Sequence, residues 1–269
     1  MSAVGLTLRQ VRFTNKSFWR NPASAFFTFA FPLMFLVIFT SLLGKGDAKI
    51  GSSSIRLTTY YVVAMATFGV ISACYTNIAI STSFNRDAGI LKRTRGTPLP
   101  GPAYLSARVI HAMLVGFLLV IITSAFGVAF YNASVPTGLP LVEFIMTLLV
   151  GSLSFAALSL ALTSVIPNAD ASPAIVNASI LPLLFLSGIF IKVDNTSPAW
   201  VRVTGKIFPV RHFADAMRDT FLGNVVAQRR DGSLYHPFTL HWIDVLVIAA
   251  WGVVGLLIAA RFFSWEPRK

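Results

Sequence analysis

Long apolar runs dominate this 269-residue chain and restrict it to folds that place such runs in a membrane. Hydrophobic residues make up 55% of the sequence and charged residues only 12%, roughly half the charged share of a soluble domain. Several windows approach the roughly 20 apolar residues that cross a bilayer core as a helix. The runs are continuously apolar and do not alternate, which excludes membrane-spanning strands. The sequence therefore predicts an all-α polytopic membrane protein.

The apolar runs predict six transmembrane helices within one domain that covers residues 1–269. We place these spans at residues 23–43, 58–82, 103–131, 141–166, 172–191 and 242–263. Lys and Arg next to spans are enriched on the cytoplasmic side. Residues 4–20, residues 84–100 and the C-terminal tail are basic, so we expect both termini in the cytoplasm and the protein in the cell membrane. Residues 192–241 oppose this orientation with seven Lys or Arg, but long segments count less in the rule.

The formal net charge of +12 favours anionic binding partners for this protein. In a polytopic protein such an excess fits cationic flanks that face anionic lipid headgroups. We therefore expect membrane lipids as partners and no nucleic acid.

Residues 4–20 predict an amphipathic helix that lies in the inner membrane interface. Arg9, Arg12 and Lys16 recur at helical spacing on one side. Trp19 lies where an aromatic anchor is expected at the membrane boundary. The alternative, a solvated basic lead-in, does not explain the aromatic residue.

A short basic segment at residues 84–100 separates the second and third spans. It predicts a compact amphipathic helix that starts at Asp87 and ends at Thr97 and Pro98, before the next span. Because it follows directly on a span, a push on it would move the span as a rigid lever. We interpret it as a cytoplasmic coupling helix; a loop that only fixes topology is the alternative. The candidate contact residues are Arg86, Asp87, Gly89, Ile90, Leu91, Lys92, Arg93 and Arg95.

The connection between the last two spans predicts two short helices at residues 198–223. Pro198 marks a helix start, and Phe213 and Met217 belong to an apolar stripe further along. Arg211 and Asp215 form an i,i+4 pair on the opposite side. These features favour two re-entrant or extracellular helices that dip into the outer interface over an additional span.

The sequence contains no motif that supplies energy or bond-breaking chemistry. It lacks a GxxxxGK[ST] phosphate loop and the HExxH, GxSxG and CxxC patterns, and its histidines show no metal-ligand spacing. Acidic residues lie at predicted span ends, whereas ion-coupled carriers hold carboxylates at mid-depth. Arg108 and His111 are interpreted as a polar pair that snorkels to the inner interface. We expect a protein that is not an enzyme, binds no cofactor or metal, and takes its energy from elsewhere.

Residues 87–98, DAGILKRTRGTP, resemble the ABC-2 type permeases. These are the membrane subunits of ABC exporters, and they include daunorubicin-type drug-resistance transporters and polysaccharide exporters. The family carries an acidic-x-Gly-(Thr/Ile)-Leu-(Glu/Lys)-Arg-Leu-Arg-x-Thr-Pro-like segment after its second span. Here Asp87 replaces the usual Glu, and Thr94 stands where Leu is common. A second family-like stretch contains Ser187, Gly188, Pro198, Trp200, Pro209, His212, Asp215 and Arg218.

The resemblance implies an exporter of two permeases, identical or sister subunits, and two separate ATPase subunits that hold ATP and Mg. It implies that residues 84–100 dock in a groove of the ATPase, aided by the helix of residues 4–20. Substrate would cross between the permeases, lined by spans one, two and five, and the outer helices would cap the pathway. The residues of this outer gate would be Ser187, Gly188, Pro198, Trp200, Pro209, Phe213 and Met217.

The leading hypothesis is thus the permease of an ATP-driven exporter in a bacterial inner membrane. The apolar spans, rich in the 23 phenylalanines of the chain, favour a hydrophobic or amphipathic cargo such as a drug or a lipid-like molecule. The polysaccharide- or glycolipid-exporting branch of the same family is an alternative. A secondary transporter driven by an ion gradient and a non-transporting scaffold are further alternatives.

Overall fold

Helices build nearly all of the computed structural model, which describes residues 3–42, 47–50, 53–191, 193, 196–228 and 234–266. The helices are α1 (Ala3–Trp19), α2 (Pro22–Leu42), α3 (Leu57–Ile71), α4 (Asn77–Asp87), α5 (Ile90–Arg95), α6 (Gly101–Tyr131), α7 (Leu139–Leu162), α8 (Ser172–Leu186), α9 (Ala199–Ile207), α10 (Pro209–Phe221) and α11 (Trp242–Phe262). Two small antiparallel hairpins lie in connections, and their strands are β1 (Asp47–Ile50), β2 (Ser53–Arg56), β3 (Ala227–Gln228) and β4 (Leu234–Tyr235). The helical architecture is confirmed; the hairpins were not predicted.

In the described part of the chain, five helices are long and apolar enough to cross a membrane: α2, the continuous helix Leu57–Asp87, α6, α7 and α11. The second predicted span continues five residues further than residue 82, and the fourth ends at Leu162, because residues 163–171 turn before α8. The fifth predicted span contains only the 15-residue α8, about 22 Å long and shorter than a bilayer core of about 30 Å. The six-span layout stays a prediction.

The helix Leu57–Asp87 forms the centre of the bundle. Its apolar window is 72% buried, against 22% for α2 and 28% for α11. Between α3 and α4 the helix contains a π-helical turn at Ser72–Thr76, a feature that is often associated with functional sites. The buried residues of this helix therefore belong to the core, and the outer helices expose apolar surface in the monomer.

Small residues allow α11 to lie close against α7. A Cβ atom added at Gly252 would lie 2.4 Å from Ser154 Oγ, and one at Gly255 would lie 2.8 Å from the backbone nitrogen of Leu158. Small residues are the usual means of close helix approach inside a membrane, where the lipid tails are as apolar as the side chains. This contact fixes the last helix of the chain to the centre of the bundle.

The bundle has two ends with different contacts. The α5 end contains the end of α4, α5, the start of α6 and the α7–α8 connection, and hydrogen bonds from Arg86 join the end of α4 to this connection. The α10 end contains the start of α3, the end of α8, and helices α9 and α10, and Tyr60 Oη donates a hydrogen bond there to the carbonyl of Gly188.

Candidate functional site

The basic segment after the second span consists of two helices joined by a sharp turn. Asp87 is the last residue of α4, and α5 begins at Ile90. Between them Gly89 has φ +69°, in the left-handed region that favours glycine. The single helix predicted from Asp87 is therefore wrong, because Gly89 breaks the helix and redirects the chain.

Arg86 and Asp87 clamp the end of α4 to the α7–α8 connection. The guanidinium of Arg86 is 2% exposed and donates hydrogen bonds of 3.0 Å and 2.9 Å to the carbonyls of Thr163 and Ile166. It also donates to the carbonyl of Pro167 at 3.3 Å and to Asp87 Oδ1 at 3.2 Å. Asp87 Oδ2 accepts a bond from the backbone nitrogen of residue 169. These two residues thus join the end of one span to the end of another.

The short helix α5 has one buried and one exposed side. Leu91 is 0% exposed, whereas Ile90 is 41% exposed and the cationic side chains Lys92, Arg93 and Arg95 are exposed. None of these three cations forms an ion pair with any residue that the structure describes. The structure therefore separates the predicted contact residues into an internal set, with Arg86 and Leu91, and an external basic set on α5.

The N-terminal helix α1 packs on α6. Phe18 lies edge-to-face against Phe29 and His111, with ring centroids 6.3 Å and 5.4 Å away, and Trp19 stacks on Phe29 at 5.7 Å. The predicted interface residues Arg9, Arg12, Lys16 and Trp19 are exposed. Helix α1 is thus fixed to the bundle by its C-terminal aromatic residues, with its cations outside.

The residues assigned to the outer gate lie in two different environments. Pro198 and Trp200 are exposed, whereas Pro209, Phe213 and Met217 are buried. The Phe213 ring lies 5.3 Å from that of Phe155 and against Gly151, where a Cβ atom would meet it at 2.1 Å. The structure does not bring these residues together in one cluster.

The remaining two gate residues end helix α8. Ser187 Oγ donates a 2.7 Å hydrogen bond to the carbonyl of Leu184 and accepts one from the backbone nitrogen of Ile189. Gly188 follows with φ +85°. These features end α8 in the middle of an apolar run.

Helix α10 carries a charge network that the sequence revealed only in part. The predicted pair of Arg211 and Asp215 is confirmed at 3.5 Å. In addition, Arg218 contacts Asp215 at 2.9 Å and Asp219 at 3.3 Å. His241, which lies just before α11, contacts Asp219 at 3.4 Å. Spacing along α10 could have indicated the Arg218 pairs, whereas the contact with His241 depends on the tertiary fold.

Burial changes the protonation equilibria of this network. It raises the pKa of Asp219, although the nearby Arg218 guanidinium opposes the change. Burial alone would lower the pKa of Arg218, but Asp215 and Asp219 more than compensate and raise it. Arg218 therefore stays cationic and fixes its acidic partners in place.

The polar pair near the start of α6 is largely buried in the bundle. Arg108 is 9% exposed and His111 is 8% exposed. Phe18 of α1 packs edge-to-face against His111. Burial in the bundle was not expected from the sequence, and the snorkelling of the pair to the inner interface stays a prediction.

The comparisons with known proteins agree with one another. A family model described as ABC-2 type transporter matches residues 7–222. The chain is 25% identical over 224 residues to the daunorubicin resistance ABC transporter permease protein DrrB1 of Streptomyces coeruleorubidus, covering 82% of this chain and 77% of the relative.

Two longer relatives come from Escherichia coli (strain K12). The chain is 24% identical over 183 residues to the probable multidrug ABC transporter permease YbhR, covering 68% of this chain and 47% of the relative. It is 25% identical over 158 residues to the probable multidrug ABC transporter permease YbhS, covering 58% and 41%. The chain thus matches less than half the length of these two relatives.

Proposed function

The chain belongs to the ABC-2 type transporter family, and from this membership we propose that it is the membrane-spanning permease subunit of an ATP-driven exporter. Permeases of this family are transport components and not ATPases. A separate nucleotide-binding subunit would bind and hydrolyse ATP with Mg. Within the described residues no group of three or more His, Cys, Asp or Glu is arranged to hold a metal ion.

We place the α5 end in the cytoplasm and the α10 end outside, with six spans that include α8 and its continuation to residue 191. The basic residues of α1 and α5 support this orientation, because cations next to spans favour the cytoplasmic side. Helix α1 would lie in the inner interface and α9 and α10 in the outer one, where the predicted gate residues between the end of α8 and α10 would cap the pathway. The membrane would be a bacterial inner membrane.

The observation that carries the proposal is that α5 presents an exposed basic face and contacts α4, whose end is held against the α7–α8 connection. Leu91 buries one side of α5, and Lys92, Arg93 and Arg95 remain outside. The Arg86–Asp87 clamp joins the preceding helix to the α7–α8 connection. A displacement of α5 by a docked ATPase would therefore move α4 and the ends of α7 and α8 together.

Two such permeases, identical or sister subunits, would pair with two ATPase subunits. The exposed cations of α5 suit a groove with acidic residues, because complementary charge fixes register and speeds encounter. The relative named for daunorubicin resistance supports a hydrophobic or amphipathic cargo, a drug or a lipid-like molecule. The cargo would cross between the two permeases.

Reconstitution with an ATPase subunit that co-purifies with this chain tests the proposal. We expect daunorubicin export from proteoliposomes to require ATP and both proteins. The variant R93E should lower cargo-stimulated ATP hydrolysis at least about tenfold, since reversing a charge at a docking face creates like-charge repulsion. Arg261 is also cationic and exposed, at the end of α11, so R261E serves as the matched control and should retain activity.

Two results would contradict the proposal. Normal ATPase association and normal export by R93E would show that the basic face of α5 has no role in coupling. Export by the purified chain alone, driven by an ion gradient, would identify a secondary transporter instead.

A further inference from the structure

Two adjoining cavities lie along α4, the first between α1, α2 and α6 and the second beside α2. Their volumes are about 360 Å³ and 400 Å³. Both are lined by Ser24 of α2, Ala73 of the π-helical turn, and Asn77, Ser81 and Asn85 of α4. Because they share these residues, the cavities form one cleft, and its lining is unusually polar for the interior of a membrane bundle. Polar side chains at such positions are commonly functional.

Arg108 supplies a buried positive charge to this cleft. Its side chain lines the first cavity and is 9% exposed. One terminal nitrogen donates a 3.0 Å hydrogen bond to Tyr104 Oη, and the other donates to Ser81 Oγ. Its Nε is buried and has no hydrogen-bond partner. The two neutral hydroxyl groups therefore accept only some of the hydrogen bonds that this guanidinium can donate.

His111 adds a second incomplete group beside the first. It lies one turn further along α6, lines the same cavity and is 8% exposed. Its Nε2 is buried without a hydrogen-bond partner. Residues three apart on a helix share a face, so both side chains come from one side of α6.

No counter-charge accompanies Arg108. It forms no ion pair within the described ranges, and neither cavity is lined by a described Asp or Glu. A buried charge without a partner is costly, and an arginine is suited to a phosphate or carboxylate that it can bind through two hydrogen bonds. An anionic ligand in the cleft would supply the missing counter-charge.

The rest of the cleft favours a ligand with an apolar part. The first cavity extends along α6 from Arg108 past Ala112 to Val115, and both of these apolar residues are buried. Arg108 lies seven residues into α6, about 10 Å from its start, near the α5 end, and Val115 lies further from that end. A headgroup at Arg108 would thus lie close to the boundary of the membrane, with its tail along α6 toward Val115.

We propose that this cleft binds an anionic amphiphile, with its phosphate or carboxylate held by Arg108 and His111 and its apolar tail against Ala112 and Val115. The ligand is either a membrane phospholipid or a phosphate-bearing amphiphile from another source. This proposal requires neither ATP nor a partner subunit, so it can fail while the proposed function holds, and the reverse is also possible.

Native mass spectrometry of the full chain in a neutral detergent tests the proposal. After incubation with equal amounts of phosphatidylglycerol and phosphatidylcholine, we expect one phosphatidylglycerol per chain, preferred by about tenfold or more. R108Q should reduce this preference about tenfold or more, the loss expected for a hydrogen bond to a charged group. Arg261 is exposed, and R261Q should behave as wild type.

A second variant keeps the test independent of how R108Q folds. Ser24 lines both cavities and is exposed, so S24W should fill the cleft while leaving Arg108 and its partners in place. We expect S24W to lose bound phosphatidylglycerol to the same extent. A wild-type chain without lipid preference, or retention of the preference by both R108Q and S24W, would overturn the proposal.

Competition distinguishes the sources of the ligand. Displacement of phosphatidylglycerol by dodecyl phosphate would show that the site accepts any phosphate amphiphile, and resistance to it would identify a phospholipid site. Both outcomes support the proposal. Equal displacement by inorganic phosphate at the same concentration would contradict it, because the apolar tail would then contribute nothing.

Discussion

Helices α5 and α10 are both short and both rich in cations, but they use those cations differently. On α10, Arg211 and Arg218 contact Asp215 at 3.5 Å and 2.9 Å, and Arg218 also contacts Asp219. On α5, Lys92, Arg93 and Arg95 have no acidic partner among the residues that the structure describes, and all are exposed. The charge of α10 is thus used within the fold, whereas the charge of α5 is available to another molecule.

This difference explains why cations alone do not identify a docking surface. The acid that precedes α5 in the sequence is Asp87, which is already bound to Arg86 and to the α7–α8 connection. A self-neutralised helix such as α10 stabilises its own end of the bundle. A helix whose cations are left unpaired beside a rigid clamp has the properties of a contact site for a partner.

The largest expected effect belongs to the clamp that holds α5 in place. R86Q would leave the buried carbonyls of Thr163, Ile166 and Pro167 without their donor, at a cost of about 3 kcal/mol or more. Thermal unfolding in detergent should show a clearly lower midpoint. R93Q, on the exposed face, is the control and should stay within about 0.5 kcal/mol of wild type. Equal midpoints for R86Q and wild type would show that the clamp does not hold the helices.

A smaller loss of stability is expected from the network on α10. D215N removes the acidic partner of Arg211 and one of the two acidic partners of Arg218, which is only 22% exposed. This should cost roughly 1–3 kcal/mol after allowance for solvent screening. Asp170 is exposed, so D170N should leave the unfolding midpoint unchanged. If D215N proved as stable as D170N, the contrast between the two helices would lose its basis.

The smallest effect concerns the turn that orients α5. G89A would place a Cβ atom on a residue with φ +69°, at a cost of about 1–2 kcal/mol. G89N should cost less, because Asn tolerates this conformation better. Gly96 has φ −80°, so G96A is the control without backbone strain. Chemical unfolding of the three variants checks the order, and equal stability of G89A and G96A would contradict it.

The apolar pattern predicted the long helices well because hydropathy responds to the same property that buries them. Helices α2, α6, α7 and α11 lie within a few residues of their predicted spans. The predicted fifth span continues beyond the end of α8, because Gly188 turns the chain at φ +85° inside an apolar run. Hydropathy counts apolar residues and does not register backbone conformation.

The roles of the candidate site residues depend on contacts between residues that are distant in the sequence, and a local sequence pattern does not contain these contacts. Arg86 and Arg93 are equivalent as basic residues of one segment, yet only Arg86 reaches the carbonyls of residues about 80 positions away. Likewise, the sequence did not indicate that Arg108 and His111 are buried, with Phe18 of α1 packed edge-to-face against His111. Long-range packing therefore decided which cations are structural and which are exposed.

Cross-linking from α5 to the ATPase tests the central claim most directly. The chain has one cysteine, Cys74, which is buried, so an engineered surface cysteine provides the accessible thiol. In a complex that co-purifies with its ATPase, K92C labelled with benzophenone maleimide, which needs no thiol on the partner, should photo-cross-link to the ATPase. T239C, an exposed position near the α10 end, should not. A cross-link from T239C, or none from K92C in an intact complex, would contradict the assignment of α5 as the docking helix.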